Sequence, residues 1–342
     1  MKGLGIGVLW LGFIPCIVAV LITLRDYPLG WFIIDSILFL AVYKTIQRII
    51  GRVRIGNLHK RAVFITGCDT GFGNLLALKC LRHGMPVFAG CLTEKGASDL
   101  RESSQRLPGI LYTIIVDVSK DESVQNAAAY LDEATEQYGG LHGVVNNAGI
   151  VGSSFYDDLL TTEDYKKVAE VNTFGVIRVT QSMKHLLKKT RGRIVNISSI
   201  CSRLGIVGLG PYTVSKYAIA GYSEIIRQEL RHFGVSVHIL EPGFFKTPLI
   251  AQENVQSRLD EMWKGVSDSI KEEYGEEFFN QVQFVFRFPQ HRYQVGLDAQ
   301  FIFTPMSYLP TGCRDAFSAF VEMILGAPVP KAAIQVLLNF TL

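Results

Sequence analysis

A short apolar run ending at Thr66 passes directly into Gly67, with Gly71 and Gly73 close behind. The chain then becomes amphipathic through Leu75, Leu76, Leu78 and Leu81. Glycines at these positions allow a tight turn and a close approach of backbone to a ligand. A helix that starts there offers free N–H groups and the positive end of its dipole to an anion. A glycine turn alone is weak, because ordinary turns match it too. The strand before it and the helix after it supply the context of a pyrophosphate cradle. Similar short apolar runs recur at 86–91, 110–116, 143–146, 193–197 and 235–240, with amphipathic stretches between them. Strand–helix alternation of this kind predicts a mostly parallel, doubly wound sheet.

Composition excludes several classes. Of the 342 residues 48% are hydrophobic and 19% charged, and the net charge is +3. That is too apolar for a disordered chain and too weakly basic for nucleic-acid binding. The six cysteines are scattered, with no paired spacing and no histidine cluster, so neither a metal site nor a disulfide framework is expected.

The apolar excess is concentrated at the start. Residues 3–24 carry no charge, which is long enough to cross a hydrocarbon core of about 30 Å as a helix. A second apolar stretch, 27–43, holds Asp35, whose burial in lipid costs about 2.5–3.5 kcal/mol. Six basic residues from Lys44 to Arg61 follow with no acid among them, and the positive-inside rule puts them on the cytosolic face. The expectation is a membrane anchor at 1–58; a cleaved signal peptide is the competing reading. Residues 1–61 carry a balance of +6 against +3 for the whole chain, so the remainder is slightly acidic.

Further motifs sit at the ends of the later strands. Asn146-Asn147-Ala148-Gly149 follows the fourth. Asn172 lies on the next helix. Ser199 follows the fifth, and Tyr212 and Lys216 open a helix thirteen residues later. Tyr212 and Lys216 are four apart and share a helix face. A nearby ammonium favours the phenolate of a tyrosine whose free pKa is about 10, so Lys216 is expected to draw Tyr212 toward use as a general base. In order and spacing these residues resemble the short-chain dehydrogenase/reductase family over about residues 60–250.

That resemblance implies roles. Tyr212 exchanges the proton with the alcohol or carbonyl, Ser199 orients the substrate oxygen, and Lys216 also binds the nicotinamide ribose. Asn172 holds a water that links Lys216 to solvent. Gly67, Gly71, Phe72 and Gly73 would cradle the pyrophosphate. Asp117 resembles the acid that bonds the adenine, with a loop cap as its plainer reading. Asn147 resembles the brace beneath the cofactor, and Thr247 the threonine on the carboxamide. Ser198 is the neighbour most easily confused with Ser199, and Cys201 and Ser202 read as structural. The ribose-selecting position at the end of the second strand is Cys91, neither acid nor Arg, with Lys95 nearby. The text around it is similar to the branch holding microsomal retinol and hydroxysteroid dehydrogenases and D-β-hydroxybutyrate dehydrogenase, which implies NAD ahead of NADP.

Residues 251–342 are expected to form a substrate cap, with Leu259, Met262, Trp263, Val266 and Ile270 on one helical stretch. The segment 274–292 looks shorter than in that branch and is crowded with phenylalanines. The expectation as a whole is an α/β, Rossmann-like doubly wound parallel sheet, a single domain with an N-terminal membrane anchor (1–58), a dinucleotide-binding core (59–250) and a cap (251–342). Its function would be hydride transfer between NAD(H) and a lipophilic retinoid or hydroxysteroid alcohol, at the endoplasmic reticulum membrane with the catalytic domain cytosolic. A homodimer is compatible with it. A D-β-hydroxybutyrate-type dehydrogenase and a non-catalytic dinucleotide-binding membrane scaffold are the alternatives.

Overall fold

A computed structural model describes residues 56–243 and 263–275, together with positions 35, 38, 39, 42, 43, 45 and 46. The chain divides into two compact units, Met1–Asn57 and Leu58–Leu342.

The second unit is built on six parallel strands: β1 (Val63–Thr66), β2 (Val87–Cys91), β3 (Leu111–Ile115), β4 (Gly143–Asn146), β5 (Arg193–Ile197) and β6 (Ser236–Leu240). Their order is β3-β2-β1-β4-β5-β6. The helices are α1 (Gly71–Arg82), α2 (Glu94–Ser104), α3 (Asp121–Ala134), α4 (Thr162–Ala169), α5 (Gly175–Thr190), α6 (Gly210–Arg231) and α7 (Asp268–Tyr274). β1, β2 and β4 are buried along their whole length. Covering both faces of a parallel sheet requires this, and it explains why these strands read as unbroken apolar runs.

Alternate side chains serve opposite layers. Phe64, Phe88, Val144 and Ile194 pack with α3, α5 and α6. Val63, Ile65, Val87, Ala89 and Val145 pack with α1 and α2. Each large apolar side chain so buried contributes roughly 1.5–3 kcal/mol. One polar ladder crosses the first layer: Asn146 donates to Thr180 and Asn196, and Asn196 donates to Ser223. Strand order reverses between β1 and β4, and the crevice at the carboxyl ends of such a pair is where ligands bind in open α/β sheets.

α4 and α5 form one helical run, joined by a single π turn at Glu170–Phe174. Its side of the fold is braced by Arg178, which bonds Glu170, Asp121 and the Val118 carbonyl.

The expected membrane anchor requires correction. Among the described residues no helix is long and apolar enough to cross a membrane. The longest, α6, has the length, but it carries Lys216, Glu224, Arg227, Glu229 and Arg231. Residues 3–24 and most of 27–43 lie outside the described residues. The anchored form of the function, the membrane as a partner and the endoplasmic reticulum assignment therefore find no support among the described residues.

Candidate active site

The glycine turn is closed by a side chain from the end of β4. Asn147 Nδ2 donates to the carbonyls of Thr66 at 2.9 Å and Gly67 at 3.1 Å. Thr66 Oγ1 in turn accepts from the main chain of Asn147 and Ala148. A Cβ on Gly73 would stand 2.3 Å from the Gly67 carbonyl, and one on Gly67 would stand 2.8 Å from Ala148 Cα. Gly71 differs: its φ is +63° and a Cβ there would meet nothing within 4 Å, so it is required for conformation and leaves open space. No side chain caps the start of α1. A helix start without a side-chain cap suits an anion, and this cradle fits a dinucleotide pyrophosphate.

The sequence reading passed over Asp69, which sits inside the same turn. Its carboxylate accepts from Leu92 N at 2.8 Å, Thr93 N at 3.0 Å and Thr93 Oγ1 at 2.8 Å. It thereby pins the end of β2, where Cys91 stands in place of the ribose-selecting acid. Only its place in a glycine turn could have flagged it, because its partners lie 23 and 24 residues away. Asp117 shows the contacts of a loop cap: Oδ1 accepts from Ser119 N and Oγ. Thr247 lies outside the described residues.

At the end of β5 the two serines separate. Ser198 Oγ donates to the Lys216 carbonyl inside the core. Ser199 Oγ accepts from Cys201 N at 3.2 Å, and the turn it caps packs against Tyr212. Tyr212 and Lys216 lie on α6, which starts with Pro211 in its first turn, a position where the missing N–H costs nothing. Lys216 is 5% exposed, and its Nζ donates to the Ile197 carbonyl at 2.9 Å.

Burial governs the electrostatics. It pushes the Lys216 ammonium down to about 8 and the Tyr212 phenol up to about 12. The Ser199 hydroxyl works in the opposite sense on Tyr212, and no lowering by Lys216 is seen. The expected effect of Lys216 on the phenol is thus outweighed by desolvation here.

Asn172 sits in the π turn, 1% exposed. Its carboxamide exchanges two 2.8 Å bonds with the Ile150 main chain and donates to Ser215 Oγ at 3.0 Å. A Cβ on Gly149 would fall 3.2 Å from Asn172 Oδ1 and 3.8 Å from Lys216 Nζ, so both residues flank one glycine. The segment beyond Ile150 leads to the described part of the C-terminal third. There Tyr274 Oη donates to Asp158 at 2.7 Å, and Phe155, Leu159, Trp263, Val266 and Ile270 pack together around it.

Residues 61–258 match the family model of the short chain dehydrogenase. The chain is a short-chain dehydrogenase/reductase. It is 40% identical over 301 residues to 17-beta-hydroxysteroid dehydrogenase type 6 of Bos taurus, covering 81% of this chain and 93% of that one. It is also 40% identical over 287 residues to retinol dehydrogenase 7 of Rattus norvegicus, covering 77% and 89%. Among solved structures it resembles the alcohol dehydrogenase of Thermococcus sibiricus complexed with 5-hydroxy-NADP: TM-score 0.50, 27% identity, 54% of this chain and 76% of that one. This short-chain dehydrogenase/reductase stands close to the retinol and 17β-hydroxysteroid branch. It is an NAD(P)-dependent oxidoreductase acting on CH–OH groups.

Proposed function

We propose that this enzyme interconverts a lipophilic secondary or allylic alcohol of the hydroxysteroid or retinoid class with its carbonyl. On this reading Tyr212 moves the proton, Ser199 aligns the substrate oxygen, and Lys216 and Asn172 support them. The observation that carries it is the turn capped by Ser199 packed against Tyr212, which stands one helical turn from a buried lysine, at the strand end beside the glycine cradle. When bound, the nicotinamide supplies or accepts the hydride.

In the reducing direction the Tyr212 phenol gives its proton to the carbonyl oxygen, and in the oxidising direction the phenolate takes it from the hydroxyl. Burial keeps the phenol protonated, which suits the donor role. The Ser199 hydroxyl acts to lower the phenol pKa, which serves the reverse step. Lys216 holds its charge below a pH of about 8, with its Nζ 5.4 Å from the centre of the Tyr212 ring. The aromatic and aliphatic cluster around Tyr274 supports a lipophilic substrate.

Within the shown requirement for NAD(P), we infer a preference for NAD. Asp69 occupies the two main-chain N–H groups at the end of β2 and brings a carboxylate to that edge. A 2′-phosphate would be repelled there, against the cations Lys95 and Arg101 of α2, the second of them paired with Glu94.

The test is steady-state turnover of the purified full chain with NAD and NADP on retinol, 3- and 17-hydroxysteroids and β-hydroxybutyrate. Tyr212→Phe and Ser199→Ala should each cost at least about 10²-fold in kcat, while Ser198→Ala stays within a few-fold. Full turnover by Tyr212→Phe would overturn the assignment of the proton carrier. Preference for β-hydroxybutyrate would overturn the substrate class.

A further inference from the structure

Ser199 stands on extended backbone and caps the short 3₁₀ turn Ile200–Ser202. β6 and its end hold the main chain on both sides of it. Ser198 N donates to the Leu240 carbonyl at 2.8 Å, and Ile200 N donates to the Pro242 carbonyl at 3.0 Å. Glu241 lies between those two acceptors, and its side chain reaches the same turn. Its Oε1 accepts from Ser202 Oγ at 2.9 Å and from Arg203 Nε at 2.7 Å. Ser202 is buried, and both charged side chains are partly buried. Ser202 in turn donates to the Ser199 carbonyl, from Oγ at 2.7 Å and from N at 2.9 Å. One carboxylate oxygen thus grips the residue that closes the turn and, through it, the main chain of Ser199.

We propose that Glu241 is a positioning residue: its carboxylate holds the Ile200–Ser202 turn so that the Ser199 hydroxyl keeps one direction. The inference rests on the reading of Ser199 as the group that aligns the substrate oxygen. A 3₁₀ turn this short has few bonds and poor bond geometry, so it holds its shape weakly alone. Hydrogen bonds to a carboxylate are about twice as strong as neutral ones. An exposed ion pair with Arg203 would contribute little, but here the same oxygen also takes the hydroxyl of a buried serine. The lever on Ser199 is short. Its Oγ accepts from the N–H of Cys201, the middle residue of the turn, so a shift of the turn re-aims the hydroxyl. The same turn packs against Tyr212, which ties the aim of Ser199 to the position of the phenol.

The test is a double-mutant cycle in the full chain, read by steady-state oxidation of a hydroxysteroid and by amide hydrogen exchange. Glu241→Ala should lower kcat about tenfold, the worth of one hydrogen bond to a charged group. KM and NAD affinity should stay within about twofold, because neither ligand meets Glu241 on this reading. Glu241→Gln keeps an oxygen acceptor in place and should recover most of the loss. In a Ser199→Ala background, Glu241→Ala should add less than about a twofold loss, since the group it positions is gone. A further tenfold loss there would overturn the proposal. Exchange at the Cys201 and Ser202 amides should quicken about tenfold in Glu241→Ala while β1 and β4 keep their protection. Unchanged exchange in the turn, or a rise spread over the whole sheet, would also overturn it. If Ser199→Ala keeps full turnover while the local exchange quickens, the reading of Ser199 fails and the hold of Glu241 on the turn stands.

Discussion

Lys216 Nζ lies 5.4 Å from the centre of the Tyr212 ring, and burial drives both side chains toward their neutral forms. Stability must then depend on pH in two windows. Between about 8 and 10.5 the unfolded chain holds a lysine proton that the folded chain has lost, so stability rises with pH. Between 10 and about 12 the unfolded tyrosine has lost a proton that the folded one keeps, so stability falls. Lys216→Met should remove the rising limb. Urea denaturation from pH 7 to 10.5 should show the stability difference between variant and wild type changing by about 3 kcal/mol. Parallel curves would refute the linkage.

Gly73 and Gly71 should fail for different reasons. Gly73→Ala drives a methyl into the Gly67 carbonyl and the Asn147 amide. That should cost about 1–3 kcal/mol and abolish dinucleotide binding. Gly71→Ala meets nothing but must hold a positive φ, at a cost of about 1 kcal/mol. Denaturation and dinucleotide titration of the two variants, side by side, check the order. Equal losses of stability would contradict it.

The Asp158–Tyr274 bond joins the loop after Gly149 to α7, with the Tyr156 ring 6.1 Å from that of Tyr274. Tyr274→Phe removes the bond and keeps the ring. KM for a lipophilic alcohol should rise about fivefold, the worth of one net hydrogen bond, and by more than kcat falls. Steady-state kinetics with a hydroxysteroid would show it, and an unchanged KM would detach α7 from substrate binding.

Much of this architecture was readable before the structure. The strands end within about a residue of the apolar runs, and in β1, β2 and β4 burial on both faces leaves no polar alternation to blur them. Thr66, Gly67 and Gly73 announce the cradle because backbone contacts this close tolerate no side chain. Other features depend on partners far away in sequence. The three bonds of Asp69 all run to residues beyond β2. The π turn has no compositional mark, because its extra residue is held by Ile150, Ser215 and Arg178. The apolar start of the chain read most strongly of all as an anchor, yet hydropathy reports only the solvent a segment tolerates. Among the described residues no helix meets the requirement for spanning.

The π turn at Glu170–Phe174 leaves the run from α4 to α5 one residue out of count. Deleting a single residue there would restore ordinary helical bonding, so the local gain favours the deletion. It would also close the widened turn from which Asn172 reaches the Ile150 main chain, taking that side chain off its partners. A shortened version of this helix would therefore be a better helix in a worse enzyme. In a library of single-residue deletions, this stretch should behave as an intolerant island in the middle of a long helix.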